Sequence, residues 1–377
     1  MRVCSLSSVK NRIVLGAPLP FSVRDAAHML LLARGQVIAD EAQLTELFQR
    51  GALVEIEELA VSAQTPRQVS KAQRMTRLPS DWDNSKQQVR QALSAPVAEL
   101  AASVDECTDH LLSLIELSPD VALSQVVRQP EGGAGHYGVN HSIHAATACL
   151  ASARYLGWND AEQRRAFQAA LTMNVAMLDL QARLAHQVSA LTNLQRETIR
   201  EHPEKGAEML SQAGIDDADW LEAVLQHHEL SDGSGYPRGS SDIGELAELL
   251  RFADVYTARL SARSNRPAMS AQQAGREILQ MAASSPMAAA LIKAFGIFPP
   301  GCMVKLASGE IGVVLRNGAK AYHPVVAALT NAQGESRKQP LTRDSARSEH
   351  TVVALLSAQS LPMRLSDERI VSLIGGE

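Results

Sequence analysis

Five of the eleven histidines, His141, His144, His202, His227 and His228, carry the clearest chemistry in this sequence. The dense segment runs His227, His228, Glu229, Leu230, Ser231, Asp232, Gly233, Ser234, Gly235, Tyr236, Pro237, Arg238, Gly239. Imidazole is a metal ligand and a proton carrier near neutral pH. Adjacent residues at a helix end diverge by about 100°. His227 and His228 are therefore expected to reach two neighbouring metals, or one metal and one phosphate, rather than to share one ion. A histidine pair alone reads as a solvated helix end. Followed by a glycine-rich turn holding a tyrosine, it reads as a site.

These residues need a helical scaffold, and the sequence supplies one from about residue 96 to 296. Helix starts are legible at Asn159 or Asp160, Thr192 with Gln195, Pro203, Asp216 with Asp219, Ser270 with Gln273, and Ser285 before Pro286. Gly157, Gly214 and Gly296 suit helix ends. Residues 1–60 read as a small α+β module. It has short strands at 21–25, 29–33 and 53–56, and a helix introduced by Asp40 and Gln43 and closed by Gly51. Residues 61–95 are polar and hold Pro66 and Pro79, the pattern of a linker. Residues 297–360 read as a β-rich module, with strands at 303–307, 311–316, 325–329 and 352–356 and tight turns at Ser308-Gly309 and Asn317-Gly318. A tail, 361–377, follows. The expected fold class is mainly α, a helical domain flanked by two small modules.

Residues 227–239 match the pattern HHExxDGxGYPxG, nine specified residues in thirteen positions. At this point the sequence resembles the HD-GYP domain, a branch of the HD superfamily of metal-dependent phosphohydrolases. The resemblance extends over about residues 137–295. His141, after Asn140, is similar to the ligand on the family's early helix, and His202-Pro203 to its middle histidine. Asp254, within Ala253-Asp254-Val255-Tyr256, resembles the late aspartate, and Arg266-Pro267 the element just after it. The resemblance implies two or three iron or manganese ions and hydrolysis of cyclic di-GMP. Carried over, the implied ligands are His141, His202, His227, His228 and Asp254. The implied nucleotide or partner contacts are Asp232, Gly235, Tyr236, Pro237, Arg263 and Arg266.

The name-giving dyad is absent. Where the family resembled has His-Asp-x-Gly-Lys, this chain has Met173 for the histidine, Asn174 for the aspartate and Met177 for the lysine. A thioether is a soft, neutral ligand, poorly matched to iron or manganese among oxygen and nitrogen donors. An amide brings no charge to offset two dications about 4 Å apart. Ala169, Ala170, Met173, Ala176 and Met177 instead follow helical spacing as packing residues. The expectation is either no metal or one divalent ion, iron or manganese.

Composition bounds the rest. With 45% apolar and 20% charged residues, the 377-residue chain can build a large core. A net charge of −5 without charge blocks argues against nucleic acid. The four cysteines are scattered, and the start lacks a signal-peptide pattern, so a cytoplasmic protein without a membrane span is expected. The expected role is a non-catalytic sensor or adaptor in bacterial cyclic di-GMP signalling, with a diguanylate cyclase domain as a candidate partner of the Gly-Tyr-Pro region. The alternatives are an active phosphodiesterase with an atypical one-metal site, and a scaffold that binds no nucleotide.

Overall fold

The computed structural model describes residues 3–56, 58, 70–129, 136–282, 284–356 and 366–376. The chain divides into two compact units, Met1–Ser70 and Lys71–Glu377. In the first, strands β1 (Val3–Ser5), β2 (Val23–Arg24), β3 (Leu30–Leu32) and β4 (Leu53–Glu55) form an antiparallel sheet in the order β1-β4-β2-β3. Helix α1 (Glu41–Gln49) packs its Leu44 and Leu47 into a core with Leu6, Phe21, Ile38 and Val54. Asp40 caps it by accepting from Gln43 N at 2.8 Å. The edge strand β1 was not expected from the sequence.

The second unit begins with a correction. The polar stretch expected to be a linker is helix α2 (Lys71–Leu93), with Pro79 inside it, and Pro66 lies outside the described residues. Leu78, Trp82, Ser85, Val89 and Leu93 recur at helical spacing and are buried, so one stripe supplies the packing while the other faces keep the composition polar. Helix α2 packs on α3 (Val97–Leu117), and α4 (Pro119–Val127) follows. At the centre lies α5 (Tyr137–Leu156), rich in alanine and buried on nearly every face among α6 (Asp160–Thr172) and later helices. Capping boxes at Asn159/Glu162 and Thr192/Gln195 start α6 and α8 (Asn193–Gln212). Pro203, expected at a first turn, instead sits well inside α8.

Between α6 and α8, a short 3₁₀ turn (Val175–Met177) leads into α7 (Leu178–His186). Helices α9 (Ala218–Gln226), α10 (Glu245–Leu260), α11 (Ala271–Met281) and α12 (Pro286–Phe295) complete the bundle. Asp217, not Asp216, caps α9.

The C-terminal sheet has the order β8-β7-β6-β5-β9, all antiparallel, from β5 (Met303–Leu306), β6 (Ile311–Arg316), β7 (Val325–Thr330), β8 (Ser336–Asp344) and β9 (Val352–Leu356). Its buried residues join the helical core. The expected tail is helix α13 (Asp367–Gly375), which buries Ile370, Val371 and Ile374 against α2, α4 and β6. Among the described residues, no helix is long and apolar enough to cross a membrane.

A buried carboxylate ties the sheet together. Glu310 accepts from Arg337 Nη2 at 2.9 Å, from Arg343 Nε and Nη2 at 3.0 and 2.9 Å, and from Ser308 Oγ at 2.9 Å. The Arg343 hydrogen bonds hold its pKa down at about 2, against an ordinary 4.5. A depressed acid contributes stability above its unfolded pKa and loses it as the pH falls through the folded one. Glu310→Gln is expected to cost about 3 kcal/mol at pH 7, because two guanidinium groups lose their shared carboxylate. Urea unfolding at pH 7 and pH 3 checks this, and the difference from the parent protein should shrink at pH 3.

Candidate metal centre and Gly-Tyr-Pro loop

Helix α8 presents His202 and the end of α9 presents His227, both fully buried. His202 Nδ1 donates to Ile199 O and His227 Nδ1 donates to Val224 O, each at 2.6 Å. These bonds fix the tautomer: both Nε2 atoms carry lone pairs. The two Nε2 atoms face one another at 3.2 Å.

His228 completes a triplet in which one ring nitrogen of each residue lies within 4.8 Å of the others. This overturns the expectation that His227 and His228 must diverge. The helix stops at His227, so the 100° rotation per residue does not apply to His228, and the rings sit with centroids 4.2 Å apart. Burial pushes His202 down to about 3, lowers His227, and lowers His228 well below its ordinary value, so all three imidazoles are neutral at pH 7.

His141, from α5, and Asp254, from α10, stand beside the triplet as a pair. His141 Nε2 lies 2.7 Å from Asp254 Oδ1. Burial raises the Asp254 carboxyl, but the His141 hydrogen bond and the nearby imidazoles outweigh it and hold the group well below the usual carboxylate range. His144 is buried and neutral, pushed down to about 3 by burial, and does not join the triplet.

Behind His228 the Gly-Tyr-Pro loop folds back tightly. Tyr236 stacks on the His228 ring at 4.6 Å, and its N–H donates to His228 O at 3.2 Å. Glu229 is buried and accepts from Arg238 N at 2.7 Å and Ser240 N at 3.0 Å, which pins the far side of the loop. Asp232 is exposed and makes a local turn by accepting from Ser234 N and Oγ. Pro237, after a cis peptide bond, is half-buried.

The two arginines carried over as contacts are both engaged by the protein. Arg263 donates through Nε and Nη2 to Tyr137 Oη at 3.2 and 2.7 Å and lies over its ring at 5.0 Å. Arg266 Nη2 donates to Ala258 O. Tyr137 in turn stacks on His141 with ring planes 10° apart. Sequence reasoning gave Tyr137 and Glu229 no role. The signal for Tyr137 was its position four residues before His141, which places both on one helix face.

Met173, in place of the dyad histidine, is fully buried in the core. Asn174, in place of the aspartate, is buried with neither Oδ1 nor Nδ2 hydrogen-bonded. Met177 is half-buried and lines a cleft of about 700 Å³ with Leu93, Leu178, Arg183 and Leu194. None of the triplet histidines lines that cleft.

A helical core with clustered histidines at the junction of several helices is the architecture of the HD domain, and the sequence profile of that family matches residues 112–287. With the intact motif at 227–239, the chain is similar to the HD-GYP branch of that family. It is 29% identical over 279 residues to the cyclic di-GMP phosphodiesterase PA4108 of Pseudomonas aeruginosa, covering 72% of this chain and 64% of that protein. It is also 30% identical over 132 residues to the 3'3'-cGAMP-specific phosphodiesterase 1 of Vibrio cholerae, covering 34% of this chain and 30% of that one. The HDG"Y"P protein Bd1817 of Bdellovibrio bacteriovorus superposes with a TM-score of 0.47 at 17% identity, over 77% of this chain and 97% of that one.

The paired-metal centre that the family implies does not fit these residues. Its bridging carboxylate is the amide Asn174, and one of its imidazoles is the buried thioether Met173. A single ion does fit. The converging Nε2 lone pairs of His202 and His227 lack a proton between them, and His228 brings a third ring nitrogen within reach.

Proposed function

We propose that this chain is a non-catalytic receptor or adaptor of cyclic di-GMP signalling in the bacterial cytoplasm. The observation that carries this reading is the pairing of buried Met173 and neutral Asn174 at the dyad, beside an intact Gly-Tyr-Pro loop. The first removes the charge that holds two metals together, and the second preserves a shaped surface. Cyclic di-GMP is the proposed ligand, since the relative that covers most of this chain is a cyclic di-GMP phosphodiesterase. A diguanylate cyclase domain is the proposed partner of the loop, with Asp232, Gly235, Tyr236 and Pro237 on the contact surface. His141, His202, His227, His228 and Asp254 are the proposed metal-site residues, with Arg263 and Arg266 as nucleotide contacts once released from Tyr137 and Ala258.

A product assay tests the proposal. Purified protein, reconstituted anaerobically with Fe(II) or Mn(II), is incubated with cyclic di-GMP and, separately, with 3'3'-cGAMP, and the nucleotides are resolved by chromatography. Intact nucleotide beside an active family control, together with measurable binding, is the expected result. Linear product that disappears on His227→Ala would replace this reading with a one-metal phosphodiesterase, which the convergence of the His202 and His227 lone pairs favours. Intact nucleotide without binding would leave a scaffold.

A further inference from the structure

We infer that the cleft lined by α2, α7 and α8 is one half of a two-fold interface, and that its occupant is a second copy of this chain. The inference goes beyond the signalling role, since it stands whether or not nucleotide is bound or cut.

The cleft measures about 700 Å³, and much of its lining is apolar: Leu93 at the end of α2, Val175 and Met177 from the 3₁₀ turn, and Leu178 at the start of α7. Leu194, in the first turn of α8, lines it as well. Val188 falls between α7 and α8, in the short stretch of chain from Arg183 to Leu194, both of which line the cleft. Val188 and Leu194 are the most exposed large apolar side chains among the described residues, at 75% and 72%. One exposed apolar side chain is ordinary, but two beside a partly apolar hollow set a knob next to a hole. An isologous interface has that form. Each copy offers the same patch, so the knob of one meets the hole of the other.

The charges say which partner fits. Asp179 and Arg183 both line the cleft, both are exposed, and they stand one turn apart on one face of α7. Arg183 makes no ion pair among the described residues. Asp179 meets only a histidine, His136 Nε2 at 3.2 Å, and its side chain stays 78% exposed. A two-fold axis midway between positions 179 and 183 brings Asp179 of each copy opposite Arg183 of the other. One patch then supplies two equivalent ion pairs. A uniformly basic or acidic partner would satisfy only one of the two charges and oppose the other.

The interface also reaches the dyad. The 3₁₀ turn that lines the cleft directly follows Met173 and Asn174. A Leu194 from the second copy, seated against that turn, would hold the segment in one position.

The test is sedimentation of the full chain across roughly 1–200 μM. The expected result is a reversible monomer–dimer equilibrium with a Kd on the order of 10 μM, and slower amide exchange at residues 174–180 at the high end of that range. Leu194→Asp should weaken the dimer by about 100-fold. Arg183→Glu should weaken it by about tenfold or more, because it sets a glutamate opposite Asp179 twice per dimer. Adding Asp179→Arg to Arg183→Glu swaps the charges and should restore the parent's Kd to within about threefold. A monomer at every concentration, a dimer indifferent to Leu194→Asp, or a double variant no tighter than Arg183→Glu alone would each overturn the inference. Should Leu194→Asp fail to fold, the charge swap between two exposed positions decides it.

Discussion

Gly235→Ala is expected to unseat the Gly-Tyr-Pro loop, and with it the ring over His228. A Cβ at this position would lie 2.5 Å from both Glu229 Cα and Leu230 N, and 2.6 Å from His228 O. These are backbone atoms, so no side chain can swing away to relieve the contact. The loop must instead move as a body. That motion strips Tyr236 from His228 and stretches the two amide bonds that Glu229 accepts from Arg238 and Ser240. Overpacking costs about 1–3 kcal/mol, and a weakened pair of bonds to a buried carboxylate adds a further ~1.5 kcal/mol or more. Thermal unfolding should show a lower midpoint. Amide exchange should rise first at residues 229–240, with α5 unaffected. A variant with the parent's midpoint and exchange pattern would contradict the packing described above.

Asn174→Asp is the second large effect, and its sign depends on pH and metal. The position is buried, and its amide has no hydrogen-bond partner. A carboxylate of the same shape would be desolvated without a hydrogen-bond partner, at a cost of several kcal/mol. Its folded pKa would therefore rise above the unfolded value of about 3.9. Below that value both states hold the proton, and the variant should match the parent. As the pH climbs, the unfolded chain ionises first, and the variant loses stability until the folded group also ionises. Urea unfolding with chelator at pH 4 and pH 7.5 should show the gap opening at the higher pH. Saturating Fe(II) or Mn(II) should narrow it more than it stabilises the parent, since a dication held by the histidine cluster would offset a nearby new charge. A gap independent of both pH and metal would place Asn174 away from the triplet.

The candidate site was legible where chemistry constrains residue type, and less so where packing decides. The run from His227 to Gly239 was readable because metal binding and a tight turn demand particular residues at fixed spacing. The convergence of His227 and His228 was not, since helical rotation applies only while the helix continues, and α9 ends at Gln226 just before them. Helix α2 was hidden by its own composition: lysine, arginine and glutamine make up much of it, while six buried positions do the packing. Strand β8 escaped for a similar reason. It is an edge strand with polar residues on both faces, and no alternation marks it. The arginines were readable as cations but not as partners, because Arg263 meets a tyrosine 126 residues away in sequence.

Helix α13 lays Ile370, Val371 and Ile374 on the same unit that α2 opens, and Gly375 comes so close to Met75 that a methyl group there would strike it. During synthesis the stripe on α2 emerges some 300 residues before its cover. The nascent helical unit must therefore spend most of its translation with that seam open, at roughly 5–20 residues per second. Its core closes only after α13 has cleared the ribosome. Any truncation that removes α13 would thus act as a failure of maturation, leaving chaperone-binding surface exposed on a chain whose histidine cluster is otherwise already assembled.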